Sequence, residues 1–105
     1  MTSAQSAYER RYSRVQLPVA AEVSCEMLNR FREPAHLRDI SAGGAFLYAD
    51  LHIQPGTAIR IDFAVPVAGT QVLVRSEGCV VRLEQRALGE KSGIAVQFAS
   101  LHLSS

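Results

Sequence analysis

The stretch LPVAAEVSCEM, residues 17–27, decides the fold because apolar residues occupy each of its odd positions. Pro18 and small or acidic residues stand between them. A period of two over eleven residues predicts a β-strand with one face on a core and the other in water, and a proline is tolerated near the start of a strand. The folded part of the chain therefore begins with an amphipathic strand.

Five further segments predict strands. An alternation like that of 17–27 follows the turn signal Pro55-Gly56, and a shorter one follows Gly93. The remaining segments are bounded by clusters of glycine, proline, alanine and serine. The five predicted strands cover residues 35–40, 44–49, 59–67, 72–83 and 94–98.

The segment 72–83 changes phase along its length. Its apolar residues stand at even positions first, and then Cys79, Val81 and Leu83 stand at odd ones. One extra residue near Gly78 restores the register, which is what a β-bulge does, and glycine suits the bend that curls a sheet into a barrel. We therefore predict a bulge near Gly78 and inward-facing side chains at Cys79, Val81 and Leu83.

The pattern as a whole predicts an all-β fold. No segment has a helical period over ten residues, and residues 101–105 can form at most one helical turn. Six short strands with no helix to cover an open sheet favour closure into an antiparallel β-barrel. We expect a flexible tail over residues 1–8, one barrel domain over 9–101 and a C-terminal tail over 102–105.

Composition narrows the class of protein. The 105 residues are 48% hydrophobic and 20% charged, which fits one globular domain, and no apolar run approaches the length of a membrane span. The first residues lack the apolar centre of a signal peptide, so a cytoplasmic location is expected. A net charge of +1 gives no general attraction to a nucleic acid polymer.

The cysteines and histidines of the sequence do not have the spacing that is typical of a metal site or a catalytic group. Cys25 and Cys79 have no CxxC spacing, and His36, His52 and His102 are scattered. We therefore expect no metal and no cofactor. Because no nucleophile, base and orienting residue are recognisable together, we expect a protein that is not an enzyme.

Two segments carry residue types that packing does not require. One is ERRYSR, residues 9–14, ahead of the first strand, and the other is DISAGG, residues 39–44, at a predicted turn. If the first two strands pair through a turn near residues 30 and 31, residue 44 lies opposite residue 17. The arginine-rich segment then lies beside the glycine-rich turn.

The residue types of both segments suit a ligand that carries phosphate and guanine. An arginine pairs with phosphate oxygens, reaches the O6 and N7 atoms of guanine and stacks on a base. In the turn, Asp39 can accept hydrogen bonds from guanine, Ser41 can donate or accept, and Gly43 and Gly44 let the backbone approach a ligand closely. The candidate binding arginines are Arg10, Arg11 and Arg14.

The two segments together resemble the PilZ domain family of bacterial receptors for cyclic di-GMP. The family pattern is RxxxR, often RRxxR, followed by [D/N]xSxxG, and RRYSR at 10–14 and DISAGG at 39–44 fill both parts in order. GCVVR at 78–82 and GIAVQF at 93–98 are similar to two later strands of the family. The resemblance covers about residues 9 to 101 and implies a six-stranded antiparallel barrel.

The resemblance also implies a function and residue roles. In it, Arg10 and Arg14 hold phosphates and guanine edges and Arg11 adds charge or stacking. The residues Asp39, Ser41 and Gly44 would cradle the other side of cyclic di-GMP. A receptor of this kind acts as an adaptor towards a downstream protein of motility, secretion or exopolysaccharide control.

Two departures from the family leave questions open. Glu9 stands where some members have an additional arginine that accompanies binding of a stacked nucleotide dimer, so one or two nucleotides per protomer are both open. The longer C-terminal helix of many members is not expected, because the sequence ends soon after Phe98.

Three alternative interpretations remain. Residues 10–14 can be a solvated tail and residues 39–44 an ordinary turn, in which Asp and Ser bond nearby backbone. The chain can be a PilZ-type interaction module that binds no nucleotide. A barrel that binds single-stranded nucleic acid would show more exposed aromatics on a basic face than this sequence offers.

Overall fold

The computed structural model describes residues 18–85 and 89–104, which form six strands closed into an antiparallel barrel. Around the barrel the strands follow the order β1-β2-β3-β6-β5-β4, and β1 pairs with β4 to close it. The predicted all-β, six-stranded antiparallel barrel is confirmed. The strands are β1 (Val19–Cys25), β2 (Arg30–Ile40), β3 (Gly44–Ala49), β4 (Ala58–Val67), β5 (Thr70–Glu84) and β6 (Ser92–Ser104).

The core lies inside the barrel and is built from alternate residues of all six strands. Across three neighbouring strands, Leu37 pairs with Leu47 and Leu47 pairs with Ile94, and none of the three side chains is exposed to solvent. On β4 the predicted inward positions are buried as far as Val65, whereas Val67 at the end of the strand is exposed. The alternation of apolar residues therefore identified the buried face of β4 correctly.

The β1–β2 hairpin differs from the prediction in its register. A turn near residues 30 and 31 would place Val19 opposite residue 42, but Val19 pairs with Leu37. The connection is a 3₁₀ turn over Glu26–Leu28 that ends at Asn29 in the left-handed region, so β2 begins at Arg30 rather than at 35. The predicted register was therefore wrong at Val19, because this turn lies earlier in the chain, and the predicted partner residue 17 lies outside the described residues.

A bulge is present near Gly78, as predicted, but its extra residue belongs to β6 rather than to β5. Between Glu77 and Gly78 the register with β6 shifts, and the extra residue is Ala99 on β6. The phase of β5 changes at Val81, because Val80 pairs with Val96 and Arg82 pairs with the adjacent Ala95.

This later bulge corrects the predicted inward positions. Val80 is 1% exposed and faces the core, whereas Val81 is 49% exposed, and Cys79 is half-buried. The even phase of β5 thus continues through Val80, and only Leu83, which packs against the core, keeps its predicted inward side. Placing the shift at Gly78 was wrong for Val81 because valine can occupy a bulge as well as a glycine can.

The end of the chain is also a strand rather than a helical turn. Residues 101–104 continue β6, with Leu101 opposite Ser76, His102 opposite Arg75 and Leu103 opposite Val74. The long strand β5 provides a partner for this alternating segment, so the extended backbone is kept past the predicted domain boundary at residue 101. Within residues 18–85 and 89–104 no helix is long and apolar enough to span a membrane.

Candidate functional site

The predicted site residues divide between described and undescribed parts of the chain. The arginines Arg10, Arg11 and Arg14 lie outside the described residues. On β2, Asp39 is the last residue but one, and Gly44 opens β3 after the short connection that contains Ser41 and Gly43. The structure therefore places the second predicted segment on one exposed hairpin turn.

A bulge in β2 orients the acidic residue of this turn. Leu37 pairs with Leu47, but Asp39 pairs with the adjacent Phe46, so Arg38 is an extra residue in β2. At a bulge two consecutive residues oppose one residue of the partner strand. Arg38 and Asp39 therefore both lie opposite Phe46, and the Nε of Arg38 donates to Oδ2 of Asp39 at 3.0 Å.

Arg38 is held in place by aromatic side chains on the outer face of β3. Its guanidinium lies 4.0 Å from the ring centroid of Phe46, which is buried although it points away from the barrel core. The Nη1 of Arg38 also donates to the hydroxyl of Tyr48 at 3.2 Å, and the guanidinium of Arg82 lies 5.9 Å from the Phe46 ring. These side chains form a cation–π cluster beside Asp39.

The hydrogen bonds of this cluster further favour the charged form of Arg38. The pKa of Arg38 is raised above its usual value, first by the hydrogen bond to Tyr48 and then by the one to Asp39. The Asp39 side chain is 66% exposed despite its partner. Because a carboxylate can accept about four hydrogen bonds, Asp39 keeps acceptor capacity towards solvent or a ligand.

Ser41 shapes the turn in this conformation. Its backbone amide donates to the carbonyl oxygen of Gly44 at 2.9 Å, and its Oγ accepts from the amide of Gly43 at 3.3 Å. The hydroxyl also lies 3.4 Å from the Gly44 carbonyl oxygen. Ser41 is therefore a turn-forming residue whose exposed hydroxyl is already used within the hairpin.

The two glycines of the turn differ in their surroundings. A Cβ on Gly44 would overlap the carbonyl oxygen of Val96 on β6, whereas a Cβ on Gly43 would have nothing within 4 Å. Neither residue has a positive φ. Gly44 is thus required by the close approach of β3 and β6, and Gly43 leaves open space above the turn.

The turn is hydrogen-bonded to β6 beside a depression on the barrel surface. The amide of Phe98 donates to the carbonyl oxygen of Gly43 at 2.9 Å. Phe98 also lines a depression of about 550 Å³ that continues past Cys79 to Phe31. Asp39 and Ser41 do not line this depression, and both are exposed on the surface around the turn.

The sequence alone did not single out Arg38, Arg82 or the cluster that they form. Phe46 and Tyr48 stand two residues apart on β3, and two-residue spacing places them on one face of the strand. An arginine directly before Asp39, opposite these aromatics, was the available signal. Among the described residues no group of three or more potential ligands could hold a metal ion.

The described part of the chain is thus a small closed barrel with a charged, exposed hairpin turn. The family model of the PilZ domain matches residues 8–105, so the chain belongs to the PilZ domain family. PilZ domains are generally cyclic di-GMP receptors and are binding modules rather than enzymes. No curated protein and no solved structure matches the chain significantly.

Proposed function

We propose that the protein is a cyclic di-GMP receptor that has no catalytic activity of its own and works as an adaptor. The observation that carries the proposal is the family match over residues 8–105, because that range contains both RRYSR at 10–14 and DISAGG at 39–44. The accessible carboxylate of Asp39 supports it further.

In this proposal the nucleotide lies between the arginines of residues 10–14 and the hairpin turn. Arg10 and Arg14 pair with phosphate oxygens and guanine edges, and Arg11 adds charge or stacking. Asp39 accepts hydrogen bonds from guanine N–H groups, while Ser41 and Gly44 hold the turn in shape and Gly43 leaves room for the ligand. Arg38 offsets part of the charge of Asp39, which lowers the repulsion between the turn and the anionic phosphates.

Calorimetry tests the function directly. The full chain is expected to bind cyclic di-GMP with a dissociation constant on the order of micromolar, equivalent to about −8 kcal/mol. GMP and GTP are the controls, because each supplies guanine and phosphate without the cyclic dinucleotide. If no heat is measured with about 100 μM cyclic di-GMP, the protein is instead an interaction module that does not bind this nucleotide.

Variants on each side of the site test the residue roles. Asp39→Ala and Arg14→Ala are each expected to weaken binding by about 1–3 kcal/mol, which is the range of a good bidentate contact to guanine. Isothermal titration of each variant measures this loss. The matched controls are Asp50→Ala, directly after the end of β3, and Arg75→Ala, on the outer face of β5; both positions are exposed.

The circular dichroism spectrum separates binding from folding in these variants. Asp39 is exposed and lies at the end of its strand, so Asp39→Ala should keep the spectrum of the wild-type barrel. Equal losses of affinity in the Asp39 and Asp50 variants would contradict the proposed contact, since only Asp39 belongs to the turn. An unfolded Arg14 variant would assign that arginine a structural role.

The exposed position of the hairpin turn on the barrel surface supports the adaptor role. A nucleotide bound there would change the shape and charge presented around β2, β3 and residues 10–14 without any rearrangement of the core. A downstream protein of motility, secretion or exopolysaccharide control would then recognise the new surface. This role predicts that a partner captured by the protein with cyclic di-GMP is lost with Asp39→Ala.

A further inference from the structure

The second half of β6 has an open edge. β3 pairs with β6 only between Ser92 and Gln97, and the amide of Phe98 donates to Gly43. Beyond these contacts, residues 99–104 lie beside β5 alone, and no strand of the described chain occupies their other side. An edge strand presents a row of unpaired N–H and C=O groups, so this edge can accept another strand.

Past the bulge at Ala99, the open edge lacks the features that usually prevent strand addition. Natural edge strands carry charges, proline or a bulge, or are covered by other elements. The sequence ASLHLS of residues 99–104 contains no lysine, arginine, acidic residue or proline, and residues 100–104 pair with β5 without a register shift. The edge is therefore a regular and uncharged template.

An exposed apolar strip accompanies this edge. Leu101 lies opposite the buried Ser76, and Leu103 lies opposite the buried Val74, so both leucines are on the core side of the sheet. They are nevertheless 38% and 67% exposed, because β5 and β6 extend beyond the closed part of the barrel. Strand addition at this edge would cover both side chains.

We propose that a second copy of this chain occupies the edge and pairs with it antiparallel, β6 to β6, about a two-fold axis at His102. Opposite residues in an antiparallel pair point to the same side of the sheet. A two-fold axis perpendicular to the sheet must therefore lie between the strands, midway between the two copies of one residue. Centring it on His102 uses residues 100–104 of both copies.

This register makes the edge complementary to itself. Leu101 faces the partner's Leu103 and Leu103 faces the partner's Leu101, which gathers four leucines on the core side of a continuous sheet. Ser100 faces the partner's Ser104, and the two copies of His102 face each other. A symmetric contact of this kind closes as a dimer and leaves no edge open for further addition.

The chain itself offers a less suitable occupant. Among residues 1–17, positions 2–8 have no bulky apolar residue except Tyr8, and four of the six residues at 9–14 are charged. Residues 15–17 continue directly into Pro18 and β1, which lies three strands away from β6 in the barrel. Val15 and Leu17 are the one alternating apolar pair among residues 9–17, and their direct link to Pro18 and β1 makes them a less suitable occupant than a second copy.

Sedimentation velocity of the full chain tests the dimer. Five residue pairs and four leucines form an interface at the small end of the range, so we expect a reversible dimer with a dissociation constant on the order of 10 μM. Leu103→Lys should raise this constant at least about tenfold, because it places a charge in the leucine cluster. The matched control is Leu73→Lys, at a leucine on the outer face of β5 that is 55% exposed; it should leave the constant within about twofold.

Cysteine crosslinking tests the register. Opposed residues of an antiparallel pair have Cα atoms about 4.5–5.5 Å apart, which fits a disulfide. Under mild oxidation, His102→Cys alone should form a covalent dimer. Ser100→Cys alone should not, because four residues of strand, about 13 Å, separate the two copies of that position. A mixture of Ser100→Cys and Ser104→Cys should crosslink, and the wild type, with Cys25 and Cys79, is the blank.

Three results would overturn the proposal. A full chain that stays monomeric up to about 500 μM would show that the edge is not used for self-association, and a loss of thermal stability in Leu103→Lys would then indicate cover by residues 1–17. A dimer insensitive to Leu103→Lys would use another surface. Crosslinking of Ser100→Cys as fast as His102→Cys would exclude the register. None of these measurements depends on cyclic di-GMP.

Discussion

Replacing Leu47 with alanine is expected to lower the free energy of unfolding by about 2–5 kcal/mol, which is the usual cost of truncating a buried leucine. Leu47 is completely buried and lies between Leu37 and Ile94 in neighbouring strands. A cavity at this point removes contacts on both sides, and the regular strand pairing of β3 prevents the walls from collapsing. Urea denaturation followed by circular dichroism measures the change.

The matched control for this truncation is Leu73→Ala. Leu73 is more than half exposed on β5, so its truncation should change the free energy of unfolding by less than about 1 kcal/mol. If both variants lost equal stability, the packed layer of Leu37, Leu47 and Ile94 would not be a principal support of the barrel. Single domains of this size usually unfold in one cooperative transition, so the loss of stability should appear as a shift of that transition.

The second large effect is expected from Gly44→Ala, which should destabilise the barrel by about 1–3 kcal/mol or more. The new methyl group would overlap the carbonyl oxygen of Val96, which is a backbone atom held in the β3–β6 ladder. Relief requires a movement of β6 or of the turn rather than a side-chain rotation. Thermal unfolding monitored by circular dichroism measures this cost without ligand.

Gly43→Ala is the control for this substitution at the neighbouring residue. A methyl group there meets no atom within 4 Å, so the unfolding free energy should change by less than about 0.5 kcal/mol. The pair separates two explanations for a binding defect in the turn. If the Gly44 variant loses affinity, the cause is the distortion of β3. If the Gly43 variant stays stable but loses affinity, Gly43 contacts the nucleotide. Destabilisation by Gly43→Ala alone would contradict this assignment.

The sequence was sufficient to predict those strands whose apolar residues alternate without interruption. The buried face of β4 and the bounds of β3 follow directly from a period of two and from the adjacent turn residues. The register of β1 against β2 could not be predicted in the same way. It depends on Asn29 and Arg32, which both have positive φ, and an arginine gives no signal for such a conformation.

The candidate site was predictable in part for a related reason. Asp39, Ser41, Gly43 and Gly44 stand next to each other in the sequence, so one hairpin turn brings them together. The cation–π cluster joins Arg38 on β2 to Phe46 on β3 and Arg82 on β5. Only the register shifts beside Asp39 and Val81 align these three side chains, and both shifts occur at residues other than glycine.

The bulge at Arg38 makes the length of β2 adjustable by one residue. Before it, Ala35 and Leu37 face the core, and after it Ile40 does so, with Asp39 on the outside. Deletion of Arg38 would restore a regular alternation in which Leu37 and Ile40 keep their inward sides and Asp39 its outward side. Substitution of Arg38 would retain the bulge, whereas deletion would remove both the bulge and its positive charge. Strands that differ in length by one residue before the aspartate can therefore share one core and one turn while differing in the net charge of the surface around that turn.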